Sequence, residues 1–315
     1  MNDKFLWVEK YRPRTITECI LPEHLKKPFL DYVKAEKIPN LILTGTSGIG
    51  KTTVAIAMCE QIGADYILIN GSLKSGIDTL RVEIHGFATS VSLTGGRKVV
   101  IVDEADNLSS ATQLGLRGVI EEVADNCSFI FTCNFINRIA EAIHSRCPVI
   151  NFKLNGADKA KMATLFLARI EHILSTEKIA YKRPVLIELI MKFFPDYRRI
   201  LGELQHYSTS GEIDVGILTQ LSNVQITELV GHLRMKDFKS VRKWVGENSD
   251  ADSSKIMRDI YDGMVGIFQP KSIPPAVVLM GRYQYQAAFV VDQEINMMAF
   301  LTELMVECEF KNDAI

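Results

Sequence analysis

Gly45-Thr46-Ser47-Gly48-Ile49-Gly50-Lys51-Thr52 decides the fold of this chain. Its glycines let the backbone turn tightly and aim successive N–H groups at one point, which suits the dense charge of a polyphosphate. A helix starting at Lys51 adds the positive end of its dipole. Lys51 can reach β- and γ-phosphates, and the Thr52 hydroxyl can ligate Mg²⁺. The flanks fit as well: Leu41-Ile42-Leu43 reads as a buried strand, and Val54–Met58 continues as a helix. The stretch therefore predicts a nucleotide site between a strand and a helix.

Working outward, short apolar runs alternate with amphipathic stretches. Strands are expected at Leu41–Thr44, Tyr66–Asn70, Val99–Asp103, Phe129–Thr132 and Val149–Phe152, each an apolar run of the kind buried on both faces. Val54–Ile62 and Thr112–Val123 read as helices between them. Such alternation predicts a parallel α/β sheet with ligands at the carboxyl ends of its strands. Beyond Phe152 the strands are expected to stop. Ala157–Leu174 has a helical apolar face, and Pro184 and Pro195 each look like the start of a further helix. Met257, Ile260, Met264 and Ile267 repeat at helical spacing. Gln269–Pro275 breaks that pattern before a last helix expected over Tyr283–Cys308.

Val99-Val100-Ile101-Val102-Asp103-Glu104-Ala105-Asp106 supplies the second half of the site. A buried strand pushes Asp103 out beside the phosphate loop, where it can hold Mg²⁺ with Thr52. Glu104, one residue on, can orient and deprotonate an attacking water. The D-E-A-D spelling also invites a helicase reading, but that would require a second similar α/β domain. Asn134 after the fourth strand could position a γ-phosphate or a water, and it also fits an ordinary turn. Arg146 ends a helix, where any cation is favourable.

Composition narrows the class. With 315 residues, 47% hydrophobic and 23% charged, the chain is an ordinary globular protein with room for two or three domains. A net charge of −2 gives no global footprint for nucleic acid, so any such contact must be local. Cys19, Cys59, Cys127, Cys133, Cys147 and Cys308 form no C-x-x-C pair, which points to reduced thiols in a cytoplasmic setting and away from zinc. The N-terminus does not read as a secretory signal, and no apolar run is long enough for a membrane span.

Trp7-Val8-Glu9-Lys10-Tyr11-Arg12-Pro13, Asn70-Gly71-Ser72 with Gly76-Ile77-Asp78, and Ser145-Arg146-Cys147 stand in register with both phosphate motifs. Together they resemble the AAA+ sliding-clamp loaders of the replication factor C small-subunit type. Phe194-Pro195-Asp196-Tyr197-Arg198 and Gly202-Glu203-Leu204 look most similar to the clamp-loader large subunits of T-even-type bacteriophages. The resemblance implies a AAA+ P-loop NTPase fold with a five-stranded parallel sheet over residues 1–153. A helical lid over 154–222 and an all-α collar over 223–315 would follow.

It also implies an ATPase subunit that uses ATP and Mg²⁺ to open a sliding clamp, grip primer–template DNA and release the closed clamp on hydrolysis. Its partners would be further copies of itself and one different subunit, four plus one, in the cytoplasm of a host cell if the chain is viral. Carried over by motif, Val8, Glu9, Lys10, Tyr11, Arg12, Pro13 and Ile20 form the adenine pocket. Gly48, Ile49, Gly50, Lys51, Thr52 and Thr53 hold the phosphates, and Thr52 and Asp103 hold the metal. Glu104 is the base, Asn134 the first sensor and Arg198 the second, with Arg199 as its rival. Arg146 becomes a finger reaching a neighbouring subunit's ATP. Lys74, Arg81 and Arg117 are candidate DNA contacts, with Gln113 grouped among them as a coupler between Glu104's loop and neighbouring subunits; each charge also reads as a solvated helix residue. Ser75 and Gly118 stand where the family often has basic residues. Rival readings are another AAA+ DNA machine, such as a helicase loader or branch-migration motor, and a non-hydrolysing scaffold of the same fold.

Overall fold

The computed structural model describes residues 5–72, 76–91, 97–209, 211–214, 217, 224–248 and 253–311. Two compact units emerge, 1–218 and 219–315. Within the first, five strands form a parallel sheet: β1 (Leu41–Thr44), β2 (Tyr66–Asn70), β3 (Lys98–Asp103), β4 (Cys127–Cys133) and β5 (Val149–Asn151), in the order β2-β3-β4-β1-β5.

Side chains alternate across this sheet, as the two-residue period of a strand requires. Leu41, Leu43, Val99, Ile101 and Ile130 face one core, shared with Val54–Cys59 of α3 (Lys51–Ile62) and Phe29 of α2 (Glu23–Lys34). Ile42, Val100, Val102, Phe129 and Phe131 face the other, shared with α4 (Ile77–Thr89) and α5 (Ser110–Glu122). Burial on both faces holds for β1, β3 and β4. It does not hold at the sheet edges, where Leu68 of β2 and Val149 of β5 are exposed. All strands run the same way, so Thr44, Asp103 and Cys133 end on one side of the sheet.

Preceding the sheet is a short helix, α1 (Trp7–Lys10); α6 (Glu141–His144) lies between β4 and β5. The lid follows as α7 (Gly156–Thr176), α8 (Arg183–Phe193) and α9 (Tyr197–Ser208). Strands do not stop after Phe152: β6 (Ala180–Tyr181) pairs in parallel with β7 (Glu212–Ile213). Pro195 does not open α9 either. Asp196 is the N-cap, its carboxylate accepting from the Arg199 N–H at 3.0 Å.

The second unit is helical: α10 (Val224–Arg234), α11 (Phe238–Glu247), α12 (Ser253–Ile267), α13 (Ile273–Ala287) and α14 (Gln293–Glu307). Its core gathers Trp244, Ile260, Phe268, Leu279 and Phe300. The expected single helix Tyr283–Cys308 is two. α13 ends at Ala287, and Asp292 caps a fresh start by accepting from the Ile295 N–H.

Candidate nucleotide site

The phosphate loop joins β1 to α3 with Gly48 at φ 72° and Gly50 at φ 101°, left-handed backbone that a side chain resists. Gly50 is the N-cap of α3, so the first N–H groups of that helix open into the loop. Lys51 is buried, and its Nζ donates to the Gly45 and Thr46 carbonyls at 2.8 and 2.9 Å and to Asn134 Oδ1 at 2.8 Å. Burial pulls its ammonium below the ordinary lysine value. A bound phosphate would oppose that shift.

At the end of β3, Asp103 Oδ1 accepts from the Thr52 hydroxyl at 2.6 Å and also from the Thr132 hydroxyl. Hard oxygens from a threonine and an aspartate beside a phosphate loop are the donor set Mg²⁺ takes when substrate oxygens and water complete its shell. Glu104 follows at φ 54°, its N–H donating to Thr132 Oγ1 at 3.1 Å. Its carboxylate accepts from the Ser72 hydroxyl and, at 3.4 Å, from Asn107 Nδ2. The chain passes so close here that a β-carbon on Gly71 would stand 2.5 Å from the Glu104 carbonyl oxygen.

A cleft lined by Val8, Tyr11, Arg12, Pro13 and Ile20 runs into this corner. Phe166, Ile173 and Tyr197 of the lid close its other side. Apolar and aromatic walls suit a flat base. Gly48, Ile49, Gly50, Lys51, Thr52, Thr53, Asp103, Glu104 and Asn134 line the same cleft. Glu9 and Lys10 are not among the lining residues. The Glu9 carboxylate accepts from Arg12, and Lys10 Nζ donates to Glu177 at 2.6 Å.

From the lid, Arg198 lines the cleft, whereas Arg199 lies 4.1 Å from the centre of the Phe193 ring and 3.9 Å from Glu203. Arg146 is elsewhere. Its Nε donates to Glu121 at 3.0 Å and its NH1 to the Ala142 carbonyl at 2.9 Å, outside the cleft. Arg81 and Arg117 are exposed cations on α4 and α5, 4.0 Å from Glu122 and 3.9 Å from Glu121. Lys74 lies outside the described residues.

Gln113 departs from its place among the DNA contacts. It is 2% exposed, and its amide is consumed inside the protein. Nε2 donates to the Leu108 and Arg138 carbonyls at 3.1 and 3.0 Å, and Oε1 accepts from the Ala140 N–H at 2.6 Å. A buried amide with all partners met joins the loop after β3 to the loop after β4 and has no free donor for a phosphate. Asp106 escaped the sequence reading. Its Oδ2 accepts from the N–H groups of Asn134 and Phe135 at 3.1 and 3.0 Å, fixing the loop that carries Asn134. The only signal was its place at the end of D-E-A-D.

A phosphate loop at the end of β1, an aspartate and glutamate at the end of β3 and a lid arginine over the same cleft define a AAA+ ATPase. Residues 41–154 match the family described as "ATPase family associated with various cellular activities (AAA)". Residues 158–219 match "Sliding-clamp-loader large subunit, AAA+ ATPase lid domain". The sliding-clamp-loader large subunit of Enterobacteria phage T4 is 35% identical over 96% of each chain, and that of Escherichia phage RB69 is 36% identical over 96% of each. A replication factor C small subunit from Methanothermobacter thermautotrophicus is 29% identical over 81% of this chain and 77% of its own.

The chain belongs to the family of sliding-clamp-loader large subunits, and its role is that of a clamp-loader ATPase subunit. A solved structure of the Thermotoga maritima RuvB Holliday junction branch migration motor superposes with a TM-score of 0.53 at 16% identity, covering 70% of this chain and 78% of that one. At that identity the likeness speaks to the fold alone.

Proposed function

We propose that ATP bound with Mg²⁺ in this cleft draws several copies of the chain, with one different subunit, around a sliding clamp and primer–template DNA. Hydrolysis then releases the closed clamp on the DNA. Four copies plus one other subunit is the stoichiometry we assign, and the cytoplasm the compartment, that of a host cell if the chain is viral. The observation that carries the reading is the split of the catalytic set: Lys51, Thr52, Asp103, Glu104, Asn134 and Arg198 meet in one cleft, while Arg146 is fixed outside it. A site that lacks its finger arginine is completed by a neighbouring copy, so turnover depends on assembly.

Each residue has a chemical task. Lys51 and the loop N–H groups hold the β- and γ-phosphates. Thr52 and Asp103 hold Mg²⁺, which neutralises charge on the phosphate oxygens when bound. Glu104 takes the proton of the attacking water onto its carboxylate, which must first leave the Ser72 hydroxyl that now donates to it. Asn134 and Arg198 sense the γ-phosphate, and Arg146 stabilises charge in the neighbouring site. The geometry gives Asn134 a motive for sensing: its Oδ1 shares the Lys51 ammonium, which a γ-phosphate would compete for. Backbone contacts to DNA are assigned to Lys74, Arg81 and Arg117, since phosphate tracking needs placed cations rather than a basic protein.

The test is an ATPase titration in which companion subunit, clamp and primed DNA are added one at a time. We expect turnover to rise at each addition and the Glu104→Gln protein to bind ATP yet fall ~10²–10⁴-fold in rate. Stimulation by none of them, or parental turnover in Glu104→Gln, would refute the reading.

A further inference from the structure

α1 is a helix of four residues, far below the length that holds itself in water. What holds it is the lid. At its start, the Trp7 N–H donates to Gln205 Oε1 at 2.8 Å, and Gln205 Nε2 donates to the Phe5 carbonyl at 2.8 Å. At its end, Lys10 Nζ donates to Glu177 Oε1 at 2.6 Å, and the Tyr11 hydroxyl donates to the same oxygen. These partners lie between 166 and 200 residues away in sequence. Gln205 belongs to α9 and Glu177 is the C-cap of α7.

Glu177 sits where a carboxylate is least expected. A helix C-terminus is the negative end of the dipole and disfavours an acid. The turn that fixes it is also costly. Lys178 takes φ 60°, a conformation usually left to glycine, while the Ile179 N–H closes back on the Leu174 carbonyl at 2.9 Å. Local propensity therefore does not explain this side chain, whereas two donors do, Lys10 at the end of α1 and Tyr11 as its C-cap. Tyr11, one of them, lines the cleft beside Val8 and Pro13.

We propose that Glu177 is a positioning residue for adenine recognition: by holding the Tyr11 hydroxyl and the Lys10 ammonium on one oxygen, it makes the base-binding wall part of the lid. The inference deepens the ATP reading and rests on it. Lid movement relative to the phosphate loop then carries the adenine wall with it, so base contact and Arg198 shift together. Hydrogen bonds from Lys10 first and Tyr11 second hold the Glu177 carboxyl below its usual range. The tether is thus intact at neutral pH and is lost only as pH falls through that depressed value.

Displacement of a fluorescent ATP analogue by ATP, GTP and tripolyphosphate, at fixed Mg²⁺, tests this on the full chain. Glu177→Ala and Tyr11→Phe each weaken ATP by about tenfold, the scale of one hydrogen bond to a charged group. Both narrow the preference for ATP over GTP and leave tripolyphosphate unchanged. The double variant is no weaker than Glu177→Ala, because Glu177→Ala already removes the Tyr11 contact. Parental ATP affinity in Glu177→Ala, equal weakening of tripolyphosphate, or additive losses in the double variant would each overturn the proposal. A parent protein that none of the three ligands can displace the analogue from would refute the ATP reading instead.

Discussion

Gly48→Ala isolates the contact between phosphate loop and lid. A β-carbon there would stand 1.8 Å from Asp196 Oδ1, 2.4 Å from its Cγ and 3.1 Å from its Cα. Reaching an ordinary contact of 3.4 Å moves the carboxylate by about 1.6 Å (3.4 − 1.8). The carboxylate is not free to swing, because it caps α9 through the Arg199 N–H, and a lost cap costs about 1 kcal/mol. Backbone adds to this: the Tyr197 N–H donates to the Gly48 carbonyl at 3.1 Å, and alanine at φ 72° costs about 1–2 kcal/mol. The sum is about 2–3 kcal/mol, or about 5–10 °C in melting temperature for a unit of this size. Function should suffer more than stability. The start of α9 carries Arg198, and a misplacement of about 1 Å near reacting groups can cost ~10²-fold in rate. Thermal melting with ATP turnover in the assembled complex reads both effects. A Gly48→Ala protein with the parent's melting temperature and turnover would refute the claim that the lid rests on the loop at this position.

Two further outcomes are expected. Asp106→Ala removes the acceptor of the Asn134 and Phe135 N–H groups and should cost about 2–4 kcal/mol, with turnover falling more than ATP affinity; equal kcat in parent and variant would show that the loop holds itself. All six cysteines are buried, and desolvation pushes the thiols of Cys19, Cys59 and Cys147 up to about 12. Because the folded values lie above the unfolded value of 9.0, stability from these groups is full below about pH 9 and drains away as pH rises towards 12. Denaturant midpoints between pH 7 and 11 should decline only above about 9, and a thiol reagent at pH 8 should label native protein far more slowly than unfolded protein.

The central strands were legible because β1, β3 and β4 are buried on both faces, which leaves an unbroken apolar run and an acid where β3 emerges. β6 and β7 have two residues each and no run to read. The break between α13 and α14 passes through Phe289, Val290 and Val291, apolar residues that continue a helical pattern on paper although the structure exposes Phe289 and Val291. In the site, Lys51, Thr52, Asp103 and Glu104 were readable because their chemistry fixes their spacing. Asp106, Thr132 and Glu177 were not. Their partners lie far along the chain, and nothing local distinguishes Glu177 from any acid at the end of a helix.

Arg146 carries the claim that one copy of the chain finishes the ATP site of the next. In complexes assembled from the Arg146→Ala protein, ATP should bind as in the parent while turnover with clamp and primed DNA falls ~10³-fold or more. Turnover equal to the parent's in that assembly would contradict a site shared between subunits.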